Sequence, residues 1–127
     1  MKRLTVVLFT TLALLGSCSK DDDKAADTSS RTLRYEVTGN FAGSFYASYT
    51  TSSGGTVNDQ VTSLPWNKDI TFQKNVTAAT IAISGNGGTT GQQAVLVVKR
   101  GGNQVSSTTA TADGSGSFTI AAPVVTF

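Results

Sequence analysis

Apolar and polar residues alternate along most of the chain after residue 30. In residues 32–38, Leu33, Tyr35 and Val37 alternate with polar side chains, and the same period of two recurs through residues 41–51. A period of two is typical of a strand with one buried face. It returns in the segments 56–62, 69–74, 78–84, 104–111 and 117–121. The pattern therefore predicts short strands and no helix.

Glycine-rich breaks separate these segments. They fall at residues 52–55, 85–91, 101–103 and 113–116. Short strands with turn signals about every 8 to 12 residues are typical of a sandwich. We therefore predict an all-β fold, a single antiparallel Ig-like β-sandwich of about seven strands over residues 31–127. Residues 85–91 are expected to form a flexible connection, because they lack the Lys-Ser/Thr ending of a phosphate loop.

Two late segments differ in their apolar content. Residues 92–100 carry apolar side chains on both faces, since Val95 and Val97 oppose Leu96 and Val98. We therefore expect this strand near the centre of a sheet. Residues 104–111 are rich in serine and threonine, which suits an edge strand.

The first residues have the layout of an export signal. Lys2 and Arg3 precede an apolar run over residues 4–15, followed by small residues. That run is too short for a transmembrane helix, which needs roughly 20 apolar residues. We predict a lipoprotein signal peptide over residues 1–17.

The end of this signal resembles the lipobox of bacterial lipoproteins. Leu15, Gly16 and Ser17 precede Cys18, the one cysteine of the chain. In that family the cysteine becomes the first residue of the mature protein and carries acyl chains such as palmitate, and two or more chains hold a protein firmly in a membrane. The resemblance implies a covalent lipid on Cys18 and no other cofactor. The alternative is a free cysteine after an ordinary signal.

An acidic tract follows the cysteine. Lys20, Asp21, Asp22 and Asp23 lie within the run SKDDDK, which resembles the tract after the cysteine in lipoproteins of the Bacteroidota. The resemblance implies display on the outer face of the outer membrane. A run of like charges also stays solvated, so residues 18–30 are predicted to form a flexible acidic tether. A plain tether on a protein facing the periplasm is the alternative.

Charge and composition exclude several functions. The chain has 10 Lys and Arg against 8 Asp and Glu, and losing Lys2 and Arg3 with the signal leaves the mature chain formally neutral. A neutral chain without a basic stripe has no electrostatic footprint for nucleic acid. The loss of the one thiol to lipid leaves no disulfide, so the fold depends on its core.

The chain lacks several of the side chains on which catalytic sites are commonly built. The chain has no histidine, which excludes Ser-His-Asp and Cys-His sites and the usual zinc sites. The predicted domain holds four carboxylates, each isolated along the sequence: Glu36, Asp59, Asp69 and Asp113. We therefore predict that the protein is not an enzyme and holds no metal.

Two aromatic residues are candidates for contact with a ligand. Trp66 follows Leu64 and Pro65, and proline restrains the backbone before it. Trp66 is expected either to close one end of the core or to contact a partner or sugar. Tyr46 lies between Ser44 and Ser48 on the polar side of its strand, which suits an exposed aromatic or a cover for a sheet edge.

Several short motifs together resemble the soluble domain of the mycobacterial small membrane proteins called MmpS. These motifs are Tyr35 to Gly39, Tyr49, the run LPWNK over residues 64–68, and the segment 99–105, within residues 31–111. The resemblance implies a β-sandwich that serves as an accessory partner of a lipid or siderophore exporter. That family is anchored by a transmembrane helix and has a cysteine pair, neither of which has a counterpart here.

The sequence thus predicts a lipid-anchored, non-catalytic binding or assembly module of the outer membrane, displayed at the cell surface. Its expected partners are the membrane, through the lipid, and an envelope protein or a glycan. Two alternatives stay open. One is an MmpS-like accessory subunit of an envelope transporter facing the periplasm, and the other is a small carbohydrate-binding protein that uses Tyr46 and Trp66.

Overall fold

The computed structural model of the chain describes residues 29–127. Every regular element of these residues is a β-strand, which confirms the prediction of an all-β fold. The ten strands are β1 Thr32–Gly39, β2 Ser44–Thr50, β3 Thr56–Val61, β4 Trp66–Thr71, β5 Ala78–Ala79, β6 Ile81–Asn86, β7 Gln93–Arg100, β8 Asn103–Thr111, β9 Phe118–Ala121 and β10 Val125–Thr126.

Eight strands form two four-stranded sheets that pack face to face. The back sheet has the order β4-β1-β7-β8 and the front sheet has the order β3-β2-β6-β9. All strand pairs in both sheets are antiparallel. The short strands β5 and β10 pair with each other. The predicted antiparallel sandwich is confirmed, with ten strands in place of about seven, of which β5 and β10 have only two residues each.

The core is formed by the inward side chains of both sheets. Leu33, Tyr35 and Val37 of β1 are buried, because alternate residues of a strand point to the same side. Phe45 of β2 is buried opposite them. Aromatic rings join the sheets, as Tyr35 of β1 lies 5.9 Å from Tyr49 of β2 between ring centroids.

The expected positions of the late strands are confirmed. β7 lies between β1 and β8, and β8 is the outer strand of the back sheet. Leu96 and Val98 of β7 are buried, whereas Val95 and Val97 are only half-buried. The second apolar face of β7 is half-buried because it lies on the outer side of the sheet, between the side chains of the neighbouring strands.

Part of the glycine-rich segment 85–91 packs closely against neighbouring segments. Gly85 lies within β6, and a Cβ atom there would approach Phe118 to 2.4 Å. The amide of Gly88 donates a hydrogen bond of 3.0 Å to the carbonyl of Gly116. Gly85 and Gly88 therefore allow two backbone segments and an aromatic ring to approach each other closely, and flexibility of the exposed residues between Gly88 and Gln92 stays a prediction.

Both ends of the described chain meet at one end of the sandwich. Arg100, buried at the end of β7, donates from Nε to the carbonyl of Ser30 at 2.8 Å and from Nη1 to the carbonyl of Thr126 at 3.2 Å. Its guanidinium lies 5.0 Å from the ring centroid of Phe127. We call this group, together with Arg31, the terminal clamp.

Candidate functional site

The outer face of the front sheet carries one large exposed aromatic side chain. Tyr46 of β2 is 48% exposed, in agreement with the polar residues on either side of it. The register of the sheet aligns Tyr46 with Gln60 of β3 and Ser84 of β6, and Ser84 with Thr119 of β9. These four residues form a row across the sheet, perpendicular to the strands.

The surroundings of this row are uncharged. The next row toward the terminal clamp consists of Asn58, Ser48, Ala82 and Ala121. Ser48 donates a short hydrogen bond to the side chain of Asn58. In β3, β2, β6 and β9 the residues that alternate with the buried ones are serine, threonine, asparagine, glutamine and alanine, apart from Tyr46. We call this surface the uncharged face.

Trp66 lies elsewhere, on the inner side of the back sheet. It is the first residue of β4, pairs with Val37 and is half-buried. Its ring centroid is 6.4 Å from that of Phe45 and 6.2 Å from that of Tyr49. The ring therefore covers the core in the manner of a lid, and the sandwich separates it from the outer surface that carries Tyr46.

A groove opens between the edges of the two sheets, where β3 and β4 face each other. Its volume is about 410 Å³, and it is lined by residues that include Tyr49, Val57, Asp59, Lys68 and Ile70. We call it the edge groove. Asp59 lies two residues before the buried Val61 on the edge strand β3. Lys68 lies two residues before the buried Ile70 on the edge strand β4, so both charged residues share the inward side of their strands. Inward-pointing charges of this kind protect exposed sheet edges from pairing with another chain.

Two tyrosines of the core, Tyr49 at the edge groove and Tyr35 of β1, have hydroxyl groups in different surroundings. Tyr49 donates a short hydrogen bond to Asp59. The pKa of Tyr49 is raised, mainly because the side chain is buried and secondly because of this bond. The hydroxyl of Tyr35 is buried and has no hydrogen-bond partner among the described residues. Burial raises the pKa of Tyr35 to about 12. Both hydroxyls therefore stay protonated at neutral pH.

The carboxylates of the domain, isolated along the sequence, have partners in the fold. Arg34 bridges Glu36 and Asp69 on the outer face of the back sheet, at 2.7 Å from Nε to Oε2 and 2.8 Å from Nη1 to Oδ2. Lys99 lies 3.3 Å from Glu36. The hydrogen bond from Arg34 is the main cause of the lowered pKa of Glu36. The strand register brings this group together by aligning Arg34 with Asp69 and Lys99.

Asp113 stabilises its own turn. Its Oδ1 accepts hydrogen bonds from the amide of Ser115 at 2.9 Å, the hydroxyl of Ser115 at 2.8 Å and the amide of Ser117 at 3.0 Å. These bonds lower the pKa of Asp113, and the bond from the Ser117 amide is the largest cause. Within residues 29–127, the acidic side chains form no cluster of three that could hold a metal ion.

The predicted lipid attachment site falls on the first 28 residues. Leu15, Gly16, Ser17 and Cys18, and the tract from Lys20 through Asp21 and Asp22 to Asp23, lie outside the described residues. The signal peptide and most of the tether lie there as well. In the part of the chain that the structure describes, we find no helix with the length and hydrophobicity needed to cross a membrane.

Sequence reasoning missed two features. The first is the inward position of Arg100. The sequence already contained a signal for it, because Arg100 follows the apolar residues Ala94, Leu96 and Val98 at intervals of two. The second is the hydrogen bond between Tyr49 and Asp59. The sequence indicates it only weakly, because the bond depends on the pairing register of β2 with β3.

The fold defines an antiparallel β-sandwich domain with an uncharged outer face, a charged outer face and an open edge. Comparison of the chain with protein-family models, curated proteins and solved structures gives no match. The MmpS resemblance therefore stays a prediction.

Proposed function

We propose that this chain is a non-catalytic, lipid-anchored binding module of the bacterial outer membrane, held by Cys18 and displayed outward. The observation that carries the proposal is the sequence LGSC, in which the one cysteine of the chain directly follows an apolar export segment. A lipid on that cysteine would leave the thiol unavailable for any other role. The acidic residues after it supply the address for surface display.

The arrangement of the ends supports this role. Ser30 is bound by Arg100 at the end of the sandwich that also holds Thr126. Cys18 lies 12 residues before Ser30, and 12 residues span at most roughly 40 Å. An anchor at Cys18 would therefore attach the domain at the terminal clamp and leave both outer faces open to partners.

The partners of the carboxylates favour binding over catalysis. Glu36 and Asp69 are tied to Arg34, and Asp59 accepts a bond from Tyr49. Asp113 is occupied by its own turn. A general acid or base must come within hydrogen-bond reach of the substrate's proton, and each of these four groups already has an intramolecular partner that it would have to share or release.

Lipidation and topology are testable together. Cells expressing the native chain are labelled with radioactive palmitate and then treated with protease while intact, beside Cys18→Ala and a variant with Asp21, Asp22 and Asp23 changed to alanine. We expect label on the native chain and none on Cys18→Ala. We expect protease to remove the native domain and to spare the acid-free variant.

Other results would change the proposal. An unlabelled native chain would overturn the lipid anchor. A labelled domain that is protected until the cells are opened would overturn surface display, and would favour an accessory subunit of an envelope transporter facing the periplasm.

A further inference from the structure

The uncharged face has the features of a sugar-binding surface. We propose that it binds a neutral polysaccharide, with the ring of Tyr46 stacked on one sugar ring and its row of side chains bonded to sugar hydroxyls. This inference rests on the proposed binding role and names the class of ligand. It places the ligand on Tyr46 and its neighbours and leaves Trp66 to the core.

The shape of the surface fits an extended chain. Neighbouring strands lie about 4.8 Å apart, so the row of Gln60, Tyr46, Ser84 and Thr119 spans roughly 15 Å across the sheet. The adjoining row contains Ala82 and Ala121, whose side chains are short. Tyr46, which is 48% exposed, is thus a large side chain next to a row that contains two short ones, and this arrangement leaves space for a ligand beside it.

The chemistry of the face matches a hydroxyl-rich ligand. Serine and threonine hydroxyls both donate and accept hydrogen bonds, and glutamine and asparagine amides offer one donor group and one acceptor group. Sugar hydroxyls need partners of both kinds. A surface of carboxylates or ammonium groups would supply only one kind.

Charge decides between neutral and acidic polysaccharides. Arg34, Glu36, Asp69 and Lys99 gather on the outer face of the back sheet, on the opposite side of the sandwich. The uncharged face has no cation for a uronate or sulfate group. A neutral polymer therefore fits this surface better than an acidic one.

A protein partner fits it less well. Protein interfaces place several aromatic or aliphatic residues at their centre, whereas this face offers Tyr46 among hydroxyls, amides and alanines. A second copy of the chain would bring the same polar surface and would bury little apolar area. Self-association through this face is therefore an outcome that contradicts the proposal.

The test measures binding of the full-length chain in detergent to soluble polysaccharides. Dextran, laminarin and mannan are the neutral probes, and polygalacturonate is the acidic one. We expect the native chain to bind at least one neutral polymer in isothermal titration calorimetry, a readout that needs no net charge on the protein. Because hydrogen bonds and stacking carry the binding, we expect little change between low and high salt.

Variants assign the binding to the face. Tyr46→Ser should weaken it by about tenfold or more, because an aromatic anchor carries a large share of binding energy. Tyr46→Phe keeps the ring and should stay within about threefold of the native chain. Val124→Ser is the matched control, since Val124 is another exposed apolar side chain, 56% exposed, outside this face; it should bind as the native chain does.

Several outcomes would overturn the inference. They are failure to bind any of the neutral polymers, equal binding by Tyr46→Ser, preference for polygalacturonate, and self-association that Tyr46→Ser abolishes. None of these measurements depends on lipidation or on topology. The proposed anchor and display at the cell surface can therefore succeed or fail separately.

Discussion

The guanidinium of Arg31 lies 4.6 Å from the ring centroid of Phe127, so residues close to the two ends of the described domain pack against each other. Arg31 also donates from Nε to the carbonyl of Phe72 at 3.1 Å. The ring of Phe127 lies 5.2 Å from that of Phe72 and faces Arg100 as well. Two cations and two aromatic rings therefore close one end of the sandwich.

The terminal clamp is expected to stabilise the fold. Changing Arg100 to Ala removes the donors for Ser30 and Thr126 and should lower the free energy of unfolding by about 1 to 3 kcal/mol, since two part-buried carbonyls lose a charged partner. Urea denaturation measures the change. Lys74→Ala, at an exposed position, is the control and should stay within about 0.5 kcal/mol. Equal stability of both variants would show that the clamp contributes nothing.

Gly85 should tolerate no side chain. A Cβ atom would lie 2.4 Å from Cε1 of Phe118, whose ring is 4.7 Å from that of Phe41 and has little room to move. We expect Gly85→Ala to destabilise the domain by about 1 to 3 kcal/mol. Gly114→Ala is the matched control, because nothing lies within 4 Å of its added Cβ atom. Thermal melting of the two variants under one condition compares them, and similar midpoints would contradict the packing described.

Stability should decline at high pH because of Tyr35. An unfolded tyrosine ionises near pH 10, whereas burial raises the pKa of Tyr35 in the fold to about 12. Above about pH 10 the unfolded chain holds fewer protons, so stability falls as the pH rises through about 12. This contribution is fully present below about pH 10, and its loss amounts to on the order of 2 kcal/mol.

Tyr35→Phe isolates this effect. The variant should show a shallower alkaline decline in urea denaturation measured at a series of pH values. At pH 7 it should be as stable as the native chain or slightly more so, because the hydroxyl it loses is buried and has no partner among the described residues. A large loss of stability at pH 7 would mean that this hydroxyl makes a bond important to the fold.

Lys68 should keep the exposed edge strand β4 from pairing with a strand of another chain. It lies between Trp66 and Ile70 on the inner side of β4, opposite the edge strand β3. Lys68→Val would make that stripe continuously apolar, and we expect stronger self-association than in the native chain. Sedimentation at increasing concentration measures it, with Lys68→Gln as a polar control. An unchanged sedimentation profile for the valine variant would argue that the charge has no protective role.

Much of the fold could be predicted because its strands are regular. Alternation identified the buried side of β1 and of β2, since burial on one face imposes a period of two, and the glycines after Asp113 identified the turn there. The start of β4 was missed: Trp66 opens the strand, but the polar residues Asn67 and Lys68 hide the period there. On an edge strand such as β4, polar and charged side chains occupy positions that would otherwise show the apolar period.

The candidate site was harder to predict. Exposure of Tyr46 followed from its serine neighbours along β2. Its row with Gln60, Ser84 and Thr119 depends on three strand pairings, and a slip by one residue would turn a strand over. No local pattern in one strand contains that information.

The sequence by itself determined the class of fold and the lack of histidine, and it alone carries the predicted export and lipid signals. These depend on residue types and on short-range periodicity, which are local properties. Tertiary structure alone decided which residues meet: Arg34 with Asp69, Tyr49 with Asp59, and Arg31 with Phe127. Each meeting depends on strand order, register and sheet packing, which are set by burial of the whole core at once.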